Sequence, residues 1–418
     1  GLIVTDWKVR TNGADHVVHK EYSMKICISG AGVAGPTLAY WLLKDGHEVT
    51  IIEEAPKLRT GGYVIDFWGV GYDVAEKMGI RETIHDVGYD VESIRMVNDG
   101  GRTRGGFSTD VFRRMTRNRY TSLARGDLAR IVFETVADRV DTRFGQTITA
   151  IEQTDEAVSA EFSNGQSQTF DMLVGADGLH SNVRRLVWGA GPYERKLGYY
   201  VAAFECDNYP HRDENVYLNY AEPGRSVSRY ALRGNRSLIL FVFSADQLPG
   251  GKEPESNTSR ISVLHEIYAE SEWEVPQILK RLDAAGDIYF DRVSQIEVPS
   301  WSKGRVALVG DAAACASLLA GEGTGLAMTE SYVLAGELHS NGGDVLEAGK
   351  AYEARLREFL EEKQQSARDF ASSFTPKTEF GIWLRNLATH FMIVPPIADL
   401  LMGNTVKDDF ELPDYGFE

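Results

Sequence analysis

Lys25-Ile-Cys-Ile-Ser-Gly30-Ala-Gly32-Val-Ala-Gly35 is the stretch on which the fold turns. A short apolar run ends in glycines spaced G-x-G-x-x-G, and Leu38, Trp41 and Leu42 follow at helical spacing until Gly46. The stretch reads as a buried parallel strand, a tight turn and a helix. Glu48-Val-Thr-Ile-Ile-Glu53 then closes a β-α-β unit of about 30 residues. In such a turn Gly30 permits the bend, Gly32 lets a pyrophosphate reach the backbone, and Gly35 packs the helix on the strand. The helix N-terminus faces the phosphates. Glu53, with Glu54 beside it, stands where an acid binds ribose hydroxyls. An α/β fold that holds a dinucleotide is expected.

The whole chain has 418 residues, 44 Lys+Arg against 61 Asp+Glu, and a formal charge of −17. So acidic a chain is a poor nucleic-acid binder, because phosphate neutralisation needs clustered cations. Three cysteines exclude a disulfide scaffold, and 43% hydrophobic residues exclude bulk disorder. The longest apolar run, 391–402, is split by Pro395-Pro396 and Asp399, so no stable membrane insertion is expected. The histidines show no metal-ligand spacing, and no Ser-His-Asp arrangement or Gly-x-Ser-x-Gly elbow is legible. A cytoplasmic protein, monomeric or weakly dimeric, is expected. Residues 1–23 read either as a short strand or as a leader or expression remnant ahead of Met24.

Further along, 122–145 reads as a helix leading to a strand, and Asn164-Gly165 closes a hairpin between 157–162 and 168–171. Period-two runs at 199–205, 215–220, 226–232 and 237–243 form an aromatic-rich antiparallel sheet. The segments 344–370 and 378–402 read as helices, the first charged and the second apolar.

Two more segments carry chemistry. Asp171-Met-Leu-Val-Gly-Ala-Asp177-Gly178-Leu-His-Ser181-Asn-Val-Arg184 resembles the DG motif of aromatic-ring flavin monooxygenases. Arg305-Val-Ala-Leu-Val-Gly310-Asp311 resembles their GD motif, whose Asp binds the ribityl chain of FAD. The order of the three motifs, from Met24 to about residue 370, is similar to the para-hydroxybenzoate hydroxylase family. The wording at 33–42, 288–291, 301–305 and 332–338 further resembles its tetracycline-destructase branch.

That resemblance implies a Rossmann-like FAD-binding domain, split over 24–190 and 295–372. It also implies an inserted antiparallel-sheet substrate domain at 191–294 and a C-terminal helix or lid at 373–418 that bridges the two. The implied reaction uses NADPH or NADH and O2 to hydroxylate an aromatic, phenolic or polyketide-like small molecule through a flavin C4a-hydroperoxide. FAD contacts are implied at Arg59, Asp66, Arg125, Asp177 and Asp311, and at Gly323, Thr324 and Gly325 in the turn opening a helix over 326–338. Tyr199, Phe204, Tyr217, Tyr230 and Leu318 are candidates for substrate lining or for plain packing.

The turn after Asp311 departs from the family pattern at Ala314, Ser317, Leu318, Glu322 and Gly325, where a Pro-rich stretch and G-Q-G-x-N usually stand. Its helix end can still stabilise an anionic reduced ring, although Glu322 adds a charge that opposes it. A second G-x-G-x-x-G is absent, so the nicotinamide coenzyme docks transiently. Arg113, Arg114, Arg117 and Arg119 either receive its 2′-phosphate or form a solvated loop. The other functional readings are a non-catalytic flavin or nucleotide sensor and a flavin-dependent halogenase. The latter lacks its W-x-W-x-I-P signature at all seven tryptophans.

Overall fold

The computed structural model describes residues 23–59, 63–317, 321–392, 408 and 410–417. The readings of residues 1–22, Leu318 and Pro395-Pro396 lie outside them.

Six strands form the first sheet, in the spatial order Ser302–Lys303, Val306–Leu308, Met172–Gly175, Lys25–Ser29, Glu48–Glu53, Asp141–Phe144. All neighbours run parallel except the Ser302–Lys303 edge. Ile26, Cys27 and Ile28 are fully buried in sequence, as a strand covered on both faces requires. The glycine-turn helix Ala34–Lys44 and the helix Gly323–Ser340 cover one face, with the Trp41 and Tyr332 rings 4.9 Å apart. A three-stranded sheet contains the expected hairpin, and Gly165 takes φ +80° at its tip.

The second large sheet has seven strands. Their order is Tyr289–Ile296, Glu194–Asp207, Arg236–Ser244, Arg225–Leu232, Val216–Glu222, Ser93–Val97, Thr103–Ser108. The interval 191–294 is therefore too narrow for it. Ser93–Val97 joins in parallel and Thr103–Ser108 forms the far edge, while Tyr289–Ile296 runs past 294. Ser93-Ile-Arg-Met-Val is a short alternating run far in sequence from its partner strand, which is why the pattern alone did not attach it.

The two faces of this sheet differ. Tyr200, Ala202, Phe204, Phe241 and Phe243 pack beneath the helices Asn257–Ile267 and Val275–Leu282. The opposite face meets Tyr63 and Val64 of the first body and carries Ala203, Tyr217, Tyr230 and Tyr289.

Asp344 caps the helix Val345–Phe374 through the backbone N–H groups of Leu346 and Glu347. The helix Glu379–Phe391 lies along the edge strand Thr103–Ser108, where the Gly106 N–H donates to Thr389 Oγ1 at 2.8 Å. The approach is close, since a Cβ on Gly105 would stand 2.8 Å from the Asn386 carbonyl. The described tail 410–417 returns to the first body. Tyr415 fills the notch at Gly336, Tyr332 donates to the Pro413 carbonyl at 2.7 Å, and the Phe417 ring lies 5.2 Å from Trp41. Among the described residues no helix is long and apolar enough to cross a membrane.

Candidate functional site

A cleft of about 1000 Å³ opens at the C-terminal ends of the parallel strands, between the glycine turn and the second sheet. This is where open α/β sheets bind ligands. Gly30, Gly32, Glu53, Glu54, Arg59, Arg125 and Asp177 border it on one side, and Ala203, Arg236, Asn257, Arg260 and Tyr289 on the other. A smaller recess continues it past Arg125, Asp311, Cys315, Ser317, Gly323 and Thr324.

The three glycines of the first turn have distinct reasons to be glycine. A Cβ on Gly30, which has φ +112°, would stand 2.3 Å from the Ala176 carbonyl, and one on Gly35 would stand 2.0 Å from the Gly30 carbonyl. Protein packing excludes both. A Cβ on Gly32 would meet no described protein atom and would project into the cleft, so packing does not account for this glycine. A pyrophosphate lying against the backbone does.

Glu53 holds the turn from the end of its strand. Its two carboxylate oxygens accept from the Ala31 and Ala55 N–H groups, each at 2.8 Å. One lone pair per oxygen remains for ribose hydroxyls. Arg59, exposed at the cleft mouth, stands 4.0 Å from Glu53.

Asp177 borders the cleft, but its carboxylate is engaged locally. It accepts from the Ser181 hydroxyl and from the Asn182 and Val183 N–H groups at 2.9 and 3.0 Å. Burial holds its pKa above the usual carboxylate value, and these bonds oppose that shift. Arg184 ties this segment to the next motif, donating to the Leu179 carbonyl at 2.6 Å and the Ala312 carbonyl at 2.9 Å. Bonds from a charged donor contribute roughly 1.5–3 kcal/mol each.

Asp311 opens the recess. Gly310 before it takes φ +64°, and its N–H donates to Glu330 Oε2 at 2.7 Å. Glu330 is fully buried and also accepts from Tyr352 at 3.2 Å. Burial raises its pKa well above the usual value, and the Gly310 and Tyr352 hydrogen bonds oppose that shift. Arg125 is open to the cleft yet lies deep between the two bodies. Burial works against its charge, but Tyr63, Asp311, Tyr289 and Cys315 together outweigh it and raise the pKa.

Two implied cofactor contacts fall elsewhere. Asp66 lines neither cavity; it accepts from the Tyr120 hydroxyl at 2.7 Å and the Ser122 hydroxyl at 2.5 Å. Its charge also reaches Tyr217 and Tyr230 of the tyrosine face and raises their pKa values. Gly325 packs against the helix Gly69–Lys77, where a Cβ on Gly71 would stand 2.2 Å from the Gly325 Cα. Phe204 borders the cleft, but its ring turns into the helix-covered core, 6.2 Å from Phe241. The reason is the period of two: 199, 201 and 203 share one face, and 200, 202 and 204 the other.

The arginine cluster does not reach the cleft. Arg113 stands 3.5 Å from Asp90 and 3.6 Å from Asp110, and Arg119 pairs with Asp73 and Glu76. Tyr63 and Tyr289 were not foreseen. Their rings lie 5.8 Å apart beside Arg125, and burial pushes the Tyr63 phenol up to about 12. Strand parity placed Tyr289 on the inner face and was the available signal. Arg260 was also missed; its Nε is buried and has no hydrogen-bond partner among the described residues. No group of three metal-ligating side chains occurs among the described residues.

Fold and cleft together define a flavoprotein built to hold FAD. The chain belongs to the FAD binding domain family, whose profile matches residues 23–372. A flavin-dependent monooxygenase of Legionella longbeachae is 32% identical over 399 residues, covering 94% of this chain and 98% of that protein. An FAD-dependent monooxygenase of Sarocladium schorii, asL4, is 26% identical over 424 residues, covering 94% and 98%. The crystal structure of tetracycline destructase Tet(51) superposes with a TM-score of 0.80 at 29% identity, covering 94% of this chain and all of that one. The protein is an FAD-dependent monooxygenase.

Proposed function

We propose that the substrate is an electron-rich aromatic or polycyclic small molecule, received against the inner face of the seven-stranded sheet. The observation that carries this reading is the tyrosine face: Tyr63, Tyr89, Tyr217, Tyr230 and Tyr289 gather there around Ala203, Leu232 and Leu238. Aromatic rings favour offset or edge contacts with aromatic ligands. Burial pushes the Tyr217 phenol up to about 12, so it stays protonated and can donate to a phenol or enol oxygen. Asp66, with Tyr120 and Ser122, supplies a polar end to an otherwise apolar surface.

FAD held in this cleft would supply the redox chemistry, passing the coenzyme's electrons to O2 so that one oxygen atom reaches the substrate. The chain supplies the rest. The backbone at Gly32 and the N-terminus of Ala34–Lys44 hold the pyrophosphate, Glu53 the ribose, and Asp311 the ribityl hydroxyls. Arg125 holds a cation in the recess, and Tyr63 with Tyr289 narrows access for water. Arg260 on the opposite wall, whose Nε has no hydrogen-bond partner among the described residues, is the cation that addresses the coenzyme phosphates. Arg113 and Arg119, paired with carboxylates away from the cleft, do not take that role.

The test is product analysis with labelled O2 across phenols, anthraquinones and tetracyclines. A product one labelled oxygen heavier supports the reading, and Arg260→Gln should raise KM for the coenzyme with little change in kcat. Reproducible product without label would refute it.

A further inference from the structure

Glu322 ends the turn after Asp311 and stands at the N-cap of the helix Gly323–Ser340. Its neighbours Gly321, Gly323 and Thr324 line the recess. Its carboxylate turns the other way, to Lys363 of the helix Val345–Phe374, with Oε2 at 3.3 Å from Nζ and Oε1 at 3.5 Å. The same ammonium holds Asp408 Oδ1 at 2.5 Å. Asp408 is further committed, because its Oδ2 accepts from the Val70 N–H at 2.7 Å at the start of the helix Gly69–Lys77. All three side chains are nearly buried, with 8% of Lys363, 12% of Glu322 and 13% of Asp408 exposed.

This knot has two carboxylates and one cation. It is one positive charge short whenever both acids are ionised, and a buried unpaired charge is costly. The deficit falls on Glu322. Asp408 has the shorter bond to Lys363 and a backbone donor besides, whereas Glu322 has only the two longer contacts.

We propose that Glu322 is the proton store of the flavin turn, taking up a proton from water when the bound ring gains negative charge by accepting hydride from the coenzyme. Lys363 and Asp408 are positioning residues that keep this acid poised, and they tie residue 408 of the C-terminal segment to the cofactor site. Electrons and protons balance: the coenzyme is oxidised by loss of hydride, the ring carries the added charge, and Glu322 binds the proton that offsets it across the turn. Burial, opposed by Lys363 and assisted by Asp408, pushes the Glu322 carboxyl up to about 7, which leaves it half-protonated at neutral pH. The other charged groups nearby are Asp73 with its partners Arg119 and Glu76 beyond Asp408, and Asp311, whose Oδ1 would stand 3.5 Å from a Cβ on Gly323. By reciprocity, a ring charge that raises the proton affinity of Glu322 makes a proton on Glu322 favour ring reduction.

The inference rests on the flavin site above, and its test is the midpoint potential of FAD on the full-length holoprotein between about pH 5.5 and 8.5. Wild type should show a bend near pH 7. Glu322→Gln, which mimics the protonated acid in shape, should match wild type at low pH and exceed it at high pH, with the gap opening near pH 7. Asp408→Asn removes a like charge and frees Lys363, so the bend should move to lower pH. The reduced ring titrates near neutrality in wild type and variant alike, so the difference between the two profiles is decisive: wild-type and Glu322→Gln potentials that stay parallel across the whole pH range overturn the proposal. A chain that takes up no FAD breaks the cofactor assignment instead.

Discussion

The turn at Gly30–Gly35 and the turn between Asp311 and Gly325 border one cleft but are held in different ways. The first is held almost entirely by backbone. Gly30 and Gly35 touch carbonyls that admit no Cβ, and Glu53 clamps the Ala31 N–H. The second is held by side chains arriving from afar: Glu330 on the Gly310 N–H, Arg184 on the Ala312 carbonyl, and Lys363 on Glu322. A backbone-held turn is rigid and local, so it reads as a short motif. A side-chain-held turn tolerates a changed local sequence as long as its distant partners remain. This explains how the turn after Asp311 can lose the usual Pro-rich stretch and G-Q-G-x-N while the recess persists.

The largest expected effect tests the backbone-held turn. Gly35→Ala forces a Cβ onto the Gly30 carbonyl inside the core and should cost about 3–5 kcal/mol, measured by denaturant unfolding of the apoprotein. A loss below about 1 kcal/mol would break the contrast. Next comes Glu330→Ala, which strands the Gly310 N–H, while the Tyr352 hydroxyl keeps the Leu308 carbonyl, at a cost of about 1–3 kcal/mol. Glu330→Gln, which keeps an acceptor for the Gly310 N–H, should recover most of that. If the two variants are equally unstable, charge rather than the hydrogen bond holds this turn.

Gly32→Val sharpens the comparison within the first turn. Its side chain meets no described protein atom, so apoprotein stability should stay within about 0.5 kcal/mol while FAD affinity falls at least about tenfold. Titration of apoprotein with FAD reads this directly; unchanged affinity would remove the pyrophosphate from Gly32. The smallest effect lies away from the cleft. Arg292 and Ser294 beside Glu194 hold its carboxyl near 2 instead of 4.5. A depressed acid stabilises the fold above its ordinary value and loses that contribution as pH falls from about 4.5 towards 2. Tm measured across that window should decline less for Glu194→Gln than for wild type, and identical slopes would refute the pairing.

Much of this was legible in the sequence, and the pattern of misses is physical. The β-α-β unit, both later strand-turn motifs and the aromatic sheet were readable because each is encoded by neighbours in sequence. Phe204 borders the cleft but turns its ring away, because composition marks an aromatic strand without saying which parity faces inward. Asp66 and Gly325 were assigned to the cofactor by resemblance, whereas Tyr120, Ser122 and Gly71 claim them in space. Arg184, Glu330 and Lys363 act at distances of tens to hundreds of residues, and no local pattern announces such partners. The arginine cluster looked like an anion site until Asp73, Glu76, Asp90 and Asp110 were found beside it.

The strand order of the first sheet has a further consequence, for the birth of the chain. Lys25–Ser29 sits between Glu48–Glu53 and Met172–Gly175, and the latter waits in turn for Val306–Leu308. On the ribosome the first strand meets one neighbour within moments and the other only after well over a hundred residues have been made. Until then Ile26 and Ile28 lie along an open, apolar edge of the kind that recruits other chains. Slow long-range pairing of this sort prolongs the exposure. A nascent chain stalled before Met172 would therefore be a target for chaperones, and a fragment ending there would aggregate however sound its dinucleotide turn.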